Sequence, residues 1–590
     1  MSLALALSVT GCGGGLPRSG PVVSGSRIVD DPRIGLLQVI PNGPGQGVAP
    51  VDVVRGFLLA GSSAADDHAV ARMFLTRAAA QVWRPNTVTT LVRTTPDLVP
   101  VALPTSGAPT AGTTASEATG ASEPPADGDQ TQVRLDAGVL AVVDATGHYV
   151  QQPRGTSLTR SVRLVREDGE WRIADPGNGV VLTQLDASRT LRPFSVYFAT
   201  PDGARLVGDV RWFGYDSSTA TRIVTELLVG PSDWLAPAVT SGAPVGTRLR
   251  VGTVPVAGGV ATVDLSDQAL AGSPDERGLL LAQLKASLTR LPGVSGVRVT
   301  VDGADLSRDA SPGPGEPPLP VQAAADPRLV LLGPTGLARY DGFAAQAVAG
   351  TGPELALGGT ASHPAVSDDG TAYAVLTDGA RTVRVQRPGG RSEVALTDPV
   401  ALVPPSIDRE GWVWSVSTTS GADPLVVPAD AVETPPAQVA LPADGLSGSV
   451  LRLRVSRDGA RLLVVTVDAA GITHVRVHGI VRGVGGKPLR LTAGSPELVP
   501  GDGQVLDASW LRGDQIVVLE RPAGDGDPVP VVSALSGPAQ QLPAVAGAES
   551  IAAGWNERGI VVGTGAGRLL TRSGADWLAV ADGRDPAYPG

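Results

Sequence analysis

The C-terminal half of the chain repeats a small polar turn followed by a short apolar strand. The turns end at five glycines, Gly370, Gly411, Gly459, Gly513 and Gly559. Their spacings of 41, 48, 54 and 46 residues match the roughly 40–50 residues of a propeller blade. A blade cannot bury its faces alone, so neighbouring blades must stack around an axis. With one more blade near residues 329–340, the pattern predicts an all-β propeller of about six or seven blades over residues 328–590.

Residues 190–303 contain segments with the apolar spacing of a helix and segments with the apolar–polar alternation of a strand. Apolar residues alternate at Val297, Val299 and Val301, which predicts a strand, as do the segments 193–199, 207–212, 248–251 and 261–265. Apolar residues recur at helical spacing up to Leu228, after a possible cap at Ser217 or Ser218, and again over residues 275–290. Strands with two interspersed helices predict a compact α/β domain.

Residues 27–186 form a first domain with an α+β pattern. One helix is predicted after Pro50, and a second carries Val70, Met73, Phe74 and Ala78 on one face, with Asp66 and Asp67 near its N-terminus. Asp168-Gly169 between two apolar segments predicts a β-hairpin. Residues 105–130 hold few apolar side chains and are predicted to be a disordered insertion.

The chain begins with an uncharged apolar segment, residues 3–10, that ends at Gly11-Cys12. It is too short to span a bilayer, which takes roughly 20 apolar residues, but it suits a secretory signal over residues 1–12. Residues 13–26 are rich in Gly, Pro and Ser and predict a flexible tether, whereas the proline-dense segment 304–327 predicts a stiff linker.

Composition excludes several function classes. The chain has 590 residues, one cysteine and a net charge of −11. A length of this order suggests several domains, and a lone cysteine rules out disulfides within the chain. The acidic balance argues against nucleic acid as a partner. No later segment is apolar for long enough to cross a membrane.

The residues Val9-Thr10-Gly11-Cys12 resemble the lipobox of bacterial lipoproteins. There, small residues before the cysteine are recognised by a dedicated signal peptidase, and the thiol receives a diacylglyceryl group. The resemblance implies that Cys12 is the lipid attachment site and that the protein is anchored to the cell membrane on its extracytoplasmic face. A covalent lipid is the only prosthetic group expected.

The second domain resembles the GerMN domain of spore-germination and envelope proteins. The resemblance rests on the segments Leu227–Pro231, Gly246-Thr247, Ala261–Ser266, Leu288-Thr289, Pro292–Val294 and Val299–Gly303. A GerMN domain between a lipobox-bearing α+β region and a propeller is similar to the actinobacterial LpqB lipoprotein family. That resemblance implies a non-enzymatic accessory protein of the MtrA–MtrB two-component system, which contacts the extracellular part of the sensor kinase MtrB and affects cell-wall homeostasis and division.

Motifs for catalysis or metal binding are weak, and we expect no catalytic residue and no metal site. His474 and His478 share a strand face, but Arg476 separates them and no nearby acid is evident. Asp66-Asp67 are interpreted as helix-capping residues, because adjacent helical residues do not face each other.

The other candidate motifs favour structural roles. The glycine-rich segment 483–488 resembles a P-loop, but Pro488 stands where that motif needs Ser or Thr. Trp412 and Trp414 could stack on a sugar, although core packing is favoured.

Two other functions stay open. The protein could bind peptidoglycan or another carbohydrate through the GerMN domain or the propeller. A propeller hydrolase or lyase would need His, Tyr and carboxylate side chains at the propeller centre, and fold alone does not imply such an activity.

Overall fold

A computed structural model describes residues 41–64, 66–101, 129–306, 319, 328–350, 361–498 and 503–589. The predicted signal peptide (1–12) and tether (13–26) lie outside the described residues, as do most of the predicted insertion (105–130) and most of the predicted linker (304–327). Within the described ranges, no helix has both the length and the apolar character needed to traverse a bilayer.

The first domain packs short helices against a seven-stranded sheet. Its helices are α1 (Pro50–Ala60), α2 (Ala69–Arg72), α3 (Arg77–Val82) and α4 (Gln184–Thr190). Its strands are β1 (Val88–Val92), β2 (Asp97–Val101), β3 (Gln130–Asp144), β4 (Tyr149–Gln151), β5 (Ser157–Glu167), β6 (Glu170–Asp175) and β7 (Val180–Thr183). The main strand order is β6-β5-β3-β1-β7, with β2 and β4 also paired to β3. Helix α1 begins with Pro50 and buries Val53, Val54 and Phe57 against the sheet, as its spacing predicts.

The hairpin predicted at Asp168-Gly169 is confirmed. It joins β5 to β6, and both residues have positive φ, 54° and 81°. Such angles at both central positions are typical of the tight turn whose twist matches that of paired strands.

The prediction of one continuous second helix in this domain is wrong, because two short helices, α2 and α3, lie in its place. The backbone of Phe74 and Thr76 bonds to Ile173 of β6, at 2.9 Å in each direction, so the helical ladder cannot continue there. The Thr76 hydroxyl then accepts a hydrogen bond from Ala79 N and caps α3. Met73 is consequently 56% exposed instead of buried.

The prediction that Asp66 and Asp67 cap a helix is wrong. Both residues and the following His68 have left-handed φ angles of 49°, 54° and 59°. Asp67 Oδ2 lies 2.5 Å from Arg72 Nη2, which ties this turn to the end of α2. The two aspartates therefore shape a turn before the helix.

The second domain packs a hairpin, two helices and a four-stranded sheet around one core. Its elements are β8 (Leu191–Ala199), β9 (Leu206–Gly214), α5 (Thr219–Val229), β10 (Val256–Ala257), β11 (Val260–Leu265), α6 (Pro274–Leu288), β12 (Gly296–Val301) and β13 (Ala304–Asp305). The sheet order is β10-β11-β12-β13, and β11 and β12 run parallel. Helix α6 starts with a capping box between Ser273 and Glu276 and buries Leu280, Leu284 and Leu288.

Three details of the second domain differ from expectation. Ser218 occupies the position before α5 without a capping bond from its side chain. Residues 248–251 form no strand and contribute one isolated bridge, between Leu249 and Leu265. Strand β13 lies in residues assigned above to the linker.

The third domain is a propeller with six four-stranded blades among the described residues. The first blade holds β14 (Leu329–Gly333), β15 (Gly336–Tyr340) and β16 (Ala345–Ala347); the second holds β17 (Ser362–Val366), β18 (Tyr373–Thr377), β19 (Thr382–Gln386) and β20 (Glu393–Thr397); the third holds β21 (Ser406–Ile407), β22 (Trp412–Ser415), β23 (Leu425–Pro428) and β24 (Ala437–Gln438). The fourth holds β25 (Ser449–Val455), β26 (Arg461–Val467), β27 (Thr473–Arg482) and β28 (Pro488–Gly494); the fifth holds β29 (Gln504–Arg512), β30 (Gln515–Arg521), β31 (Val529–Ala534) and β32 (Ala539–Gln541); the sixth holds β33 (Ala548–Ala553), β34 (Ile560–Thr564), β35 (Arg568–Ser573) and β36 (Asp576–Asp582).

The C-terminal strand completes the first blade. Strand β37 (Arg584–Ala587) pairs with β14 and contacts the first strands of the second and sixth blades, β17 and β33. The innermost strand of the first blade therefore comes from the far end of the sequence. This arrangement joins the first blade to the last and closes the ring of blades.

Candidate functional site

The residues predicted to direct lipidation, Val9, Thr10, Gly11 and Cys12, lie outside the described part of the chain. The glycine-rich segment 483–488 lies within it and forms a short turn, Val484–Gly486. Strand β28 follows this turn directly. A P-loop needs a helix N-terminus after its glycines, so this segment is not a phosphate site of that kind.

The predicted strand histidines have separate environments. His474 Nδ1 lies 2.8 Å from Glu497 Oε1, and its Nε2 lies 3.2 Å from Asp468 Oδ2. The expectation that no acid lies near His474 is therefore wrong. Burial lowers the pKa of His474, but the hydrogen bonds to Asp468 and Glu497 outweigh it, and the net shift is upward. His478 is buried and its Nδ1 lies 2.9 Å from Thr492 O. In the part of the chain that the structure describes, no group of three or more His, Cys, Asp or Glu side chains has a metal-binding arrangement.

The two tryptophans of strand β22 serve the propeller core. Trp414 is fully buried and its Nε1 donates to Asp408 Oδ2 at 2.8 Å. Trp412 is half-buried against the same apolar cluster. The core role favoured by the sequence is confirmed for Trp414.

A network that the sequence did not predict lies where the first and second domains meet. We call it the polar junction, and its members are Asp144, His148, Asp209, Arg211 and Ser232. His148 Nε2 lies 2.8 Å from Ser232 Oγ, and His148 Nδ1 lies 3.2 Å from Asp144 Oδ2. Serine, histidine and aspartate thus stand in the order that hydrolases use to activate a nucleophile.

The surroundings of Ser232 prevent that use. Its Oγ lies 2.8 Å from both carboxylate oxygens of Asp209 and 3.0 Å from Arg211 Nη1. A carboxylate only accepts hydrogen bonds and a guanidinium only donates, so the serine proton points to Asp209. His148 must then donate to Ser232, the reverse of what a general base does. The hydroxyl is also buried, since Ser232 is 5% exposed.

Charge and burial fix the ionisation of this network. Asp209 and Arg211 form an ion pair at 2.7 Å, with side chains 5% and 2% exposed. Burial tends to raise the pKa of Asp144, but hydrogen bonds from His148 and Thr146 outweigh burial and lower that pKa well below its usual range. Asp144 and Asp209 each bond within their own domain, and the hydrogen bond between His148 and Ser232 joins the two halves of the network.

A glycine turn lets the domains approach closely at this point. Gly147 has a φ of 86°, and its carbonyl accepts a hydrogen bond from Trp212 N at 2.7 Å. A Cβ on Gly147 would lie 2.7 Å from the Phe213 ring and 3.0 Å from Trp212 N. Only glycine combines this backbone angle with this contact.

The propeller contacts both domains beside the polar junction. Ser536, in the loop between β31 and β32, accepts from Trp212 Nε1 through its carbonyl at 2.8 Å and from Tyr149 N through its hydroxyl at 3.1 Å. A second contact is made by Arg461, which is 1% exposed, pairs with Asp458 and donates to Gly208 O at 3.4 Å. Partly buried polar contacts thus link the propeller to the first domain through Tyr149 and to the second domain through Trp212 and Gly208.

Three protein-family models match consecutive parts of the chain. The Lipoprotein LpqB N-terminal domain matches residues 43–188, the sporulation and spore germination domain matches residues 195–307, and the Lipoprotein LpqB beta-propeller domain matches residues 335–589. Lipoprotein LpqB of Streptomyces coelicolor is 29% identical over 613 residues, covering 95% of this chain and 92% of that protein. The chain belongs to the LpqB lipoprotein family.

Other relatives match shorter stretches. Lipoprotein LpqB of Thermobifida fusca is 30% identical over 309 residues, covering 51% of this chain and about half of that protein's length, 46%. The tandem GerMN domains of the sporulation protein GerM from Bacillus subtilis are 20% identical, with a TM-score of 0.18, and cover 22% of this chain and 44% of that one. The fold class of an α+β N-terminal domain, a GerMN domain and a propeller is confirmed.

In this LpqB family member, the polar junction crosses the boundaries between the matched domains. Asp144 and His148 belong to the N-terminal LpqB domain, whereas Asp209, Arg211 and Ser232 belong to the GerMN domain. His148 and Ser232 are 84 residues apart in sequence, and no local pattern connects them. The left-handed glycine before His148 is the one local signal of a close contact there.

Proposed function

We propose that the protein is an envelope lipoprotein, anchored on the extracytoplasmic face of the cell membrane through Cys12, that acts as a non-enzymatic accessory of a sensor kinase. The proposed partner is the extracellular part of MtrB, so the protein would modulate MtrA–MtrB signalling. Membership of a lipoprotein family and the lipobox-like residues Val9 to Cys12 support the anchor.

The polar junction is the observation that carries the non-enzymatic part of the proposal. The Ser232 hydroxyl donates to the Asp209 carboxylate and accepts from His148, whose hydrogen bond to Ser232 joins the two domains. Neither side chain is therefore available as a nucleophile or a general base. An assembly joined in this way suits a scaffold that presents a fixed surface, because preorganised surfaces lose less entropy on binding. The predicted 14-residue tether would reach roughly 50 Å from the membrane when extended.

The anchor is tested by intact mass and membrane fractionation of the protein and of Cys12→Ala in an actinobacterial host. We expect the protein to carry a lipid mass and to sediment with membranes, and the variant to lose both. Ser24→Ala in the tether is the matched control and should retain the lipid. An unmodified wild-type protein would overturn the anchor.

The partner is tested by site-specific photo-crosslinking in cells that carry the lipidated protein. We expect crosslinks to the extracellular part of MtrB from probes on one face of the assembly. Probes on the opposite face are the control. Lipidated protein that crosslinks to peptidoglycan and never to the kinase would replace this proposal with the carbohydrate-binding alternative.

A further inference from the structure

His474 lies between two carboxylates that come from different segments of the propeller. It is the second residue of β27 in the fourth blade. Asp468 belongs to the turn that joins β26 to β27, and Glu497 belongs to the connection from β28 to β29 of the fifth blade. His474 Nε2 lies 3.2 Å from Asp468 Oδ2, and His474 Nδ1 lies 2.8 Å from Glu497 Oε1. The ring therefore bridges a turn within one blade and the connection between two blades.

Both polar neighbours of the His474 ring are hydrogen-bond acceptors. An ionised carboxylate only accepts, whereas a neutral imidazole has one N–H group and one lone pair. Only the imidazolium form, with a proton on each nitrogen, can donate to both acids at the same time. Burial opposes the charged ring, but the hydrogen bonds to Asp468 and Glu497 prevail and raise the pKa of His474 above its ordinary value of 6.5.

The two acids differ in their other partners. Asp468 Oδ1 accepts from two backbone N–H groups of its own turn, at 2.8 and 2.9 Å. Hydrogen bonds from this backbone and from the His474 ring hold the pKa of Asp468 below its usual range. Glu497 has one other charged partner in the described part of the chain, Arg476, whose Nη2 lies 3.9 Å from Glu497 Oε2. Without the ring proton, Asp468 keeps its backbone donors, whereas Glu497 loses its one close donor.

The other titratable groups that surround this arrangement favour no rival proton site. Arg476 of β27, Asp444 of the connection before β25, and His478 line the same small cavity as His474. Burial lowers the pKa of His478, so that ring is neutral at neutral pH. The cross-strand neighbour of His474 on β26 is Thr466, which carries no charge. Asp444 and Arg476 have opposite charges, so their effects on the His474 ring oppose each other.

Backbone hydrogen bonds hold the connection to β27 on either side of Glu497. Ser495 N donates to Val477 O at 2.8 Å, and Leu498 N donates to Val475 O at 2.9 Å. These bonds do not depend on the protonation of a side chain. Loss of the ring proton therefore leaves the blade folded and removes the side-chain link between the connection and the turn.

We propose that His474 is a pH-dependent clamp, whose imidazolium joins the Asp468 turn to the connection between the fourth and fifth blades and whose neutral form releases Glu497. Because the pKa of His474 is raised on folding, the clamp is complete below pH 6.5 and is lost as the pH rises through the folded-state value. The connection should then open more readily to solvent. The clamp lies within the propeller, so it does not depend on the anchor or on the kinase partner.

The clamp is tested on the full chain by NMR of isotope-labelled histidine rings and by hydrogen–deuterium exchange over a series of pH values. The chain has five histidines, and His474→Gln identifies the signal of His474. We expect His474 to titrate above pH 6.5. Exchange at residues 495–498, corrected for the intrinsic effect of pH, should accelerate through the same transition.

The variant Glu497→Gln keeps the size of the side chain and removes its charge. It should lower the titration midpoint of His474 by about one pH unit and abolish the pH dependence of exchange at residues 495–498. The matched control is Glu557→Gln, because Glu557 pairs with Arg572 at 2.7 Å in the sixth blade and should affect neither measurement.

Near-UV circular dichroism checks that each variant is folded, and Asp468→Asn replaces Glu497→Gln if the latter does not fold. Three results would overturn the proposal. They are a His474 midpoint at or below pH 6.5, exchange at residues 495–498 that does not change with pH, and an unshifted midpoint in the folded variant.

Discussion

Replacing Asp209 with alanine should destabilise the junction between the first two domains more than any exposed charge substitution. Asp209 is 5% exposed and pairs at 2.7 Å with an arginine side chain that is 2% exposed. It also accepts hydrogen bonds from the backbone and hydroxyl of Ser232, at 2.7 and 2.8 Å. Its removal leaves a buried, uncompensated guanidinium and two unsatisfied donors.

The expected cost is about 3–5 kcal/mol, which is typical of breaking a buried ion pair from one side. The matched control is Arg77→Ala. Arg77 and Asp168 also lie 2.7 Å apart, but their side chains are 79% and 75% exposed. Pairs with this exposure contribute at most about 1 kcal/mol, so Asp209→Ala should lower the free energy of unfolding several-fold more than Arg77→Ala does.

Hydrogen–deuterium exchange of strand β9, together with denaturant unfolding followed by tryptophan fluorescence, measures the effect. For Asp209→Ala we expect faster exchange in β9 and unfolding at a lower denaturant concentration. For Arg77→Ala we expect neither change. The double variant Asp209→Leu/Arg211→Met should recover part of the loss, because it removes the stranded charge. Equal behaviour of Asp209→Ala and Arg77→Ala would refute the reasoning.

Three further predictions concern other contacts. Gly147→Val should separate the first domain from the second, because a Cβ would lie 2.7 Å from the Phe213 ring; limited proteolysis near the 144–149 turn should accelerate, and unchanged cleavage would contradict this. Burial raises the pKa of Glu410 to about 7, so the folded chain holds a proton that the unfolded chain has lost between pH 4.5 and 7. Stability should fall as the pH rises through that window, and Glu410→Gln should flatten the slope seen in denaturant titrations at pH 5 and 7.5. Deleting residues 584–590 should abolish the cooperative unfolding of the propeller in calorimetry, because β14 loses its partner; a retained transition would argue against closure by β37.

Periodic patterns predicted the elements that bury apolar side chains at regular spacing. Helix α1 and helix α6 follow the 3.6-residue period, and the blade strands follow turn signals at the predicted glycines. The prediction of a second N-terminal helix was wrong because backbone hydrogen bonds between Ile173 and residues Phe74 and Thr76 interrupt the helix that the local sequence pattern favours.

The polar junction could not be predicted for a different reason. Its members come from two domains, and each residue taken alone is an ordinary turn or strand residue. Ser232 acquires a distinct role only when folding brings Asp209 and His148 within 2.8 Å of its hydroxyl. Contacts between sequence-distant side chains leave no period or spacing in one sequence. The acids around His474 were missed for the same reason.

Because β37 completes the first blade, the propeller can close only after residues 584–587 have been made. When the chain has been made as far as residue 583, the second to sixth blades have all four strands, but the first blade has only three and lacks β37. Until β37 is made, β14 exposes an unpaired edge at the axis, and such edges invite pairing with other chains. Chains truncated before residue 584 remain in that open form, accessible to proteases and to aggregation. The presence of β37 therefore distinguishes chains that can close the propeller from truncated chains that cannot.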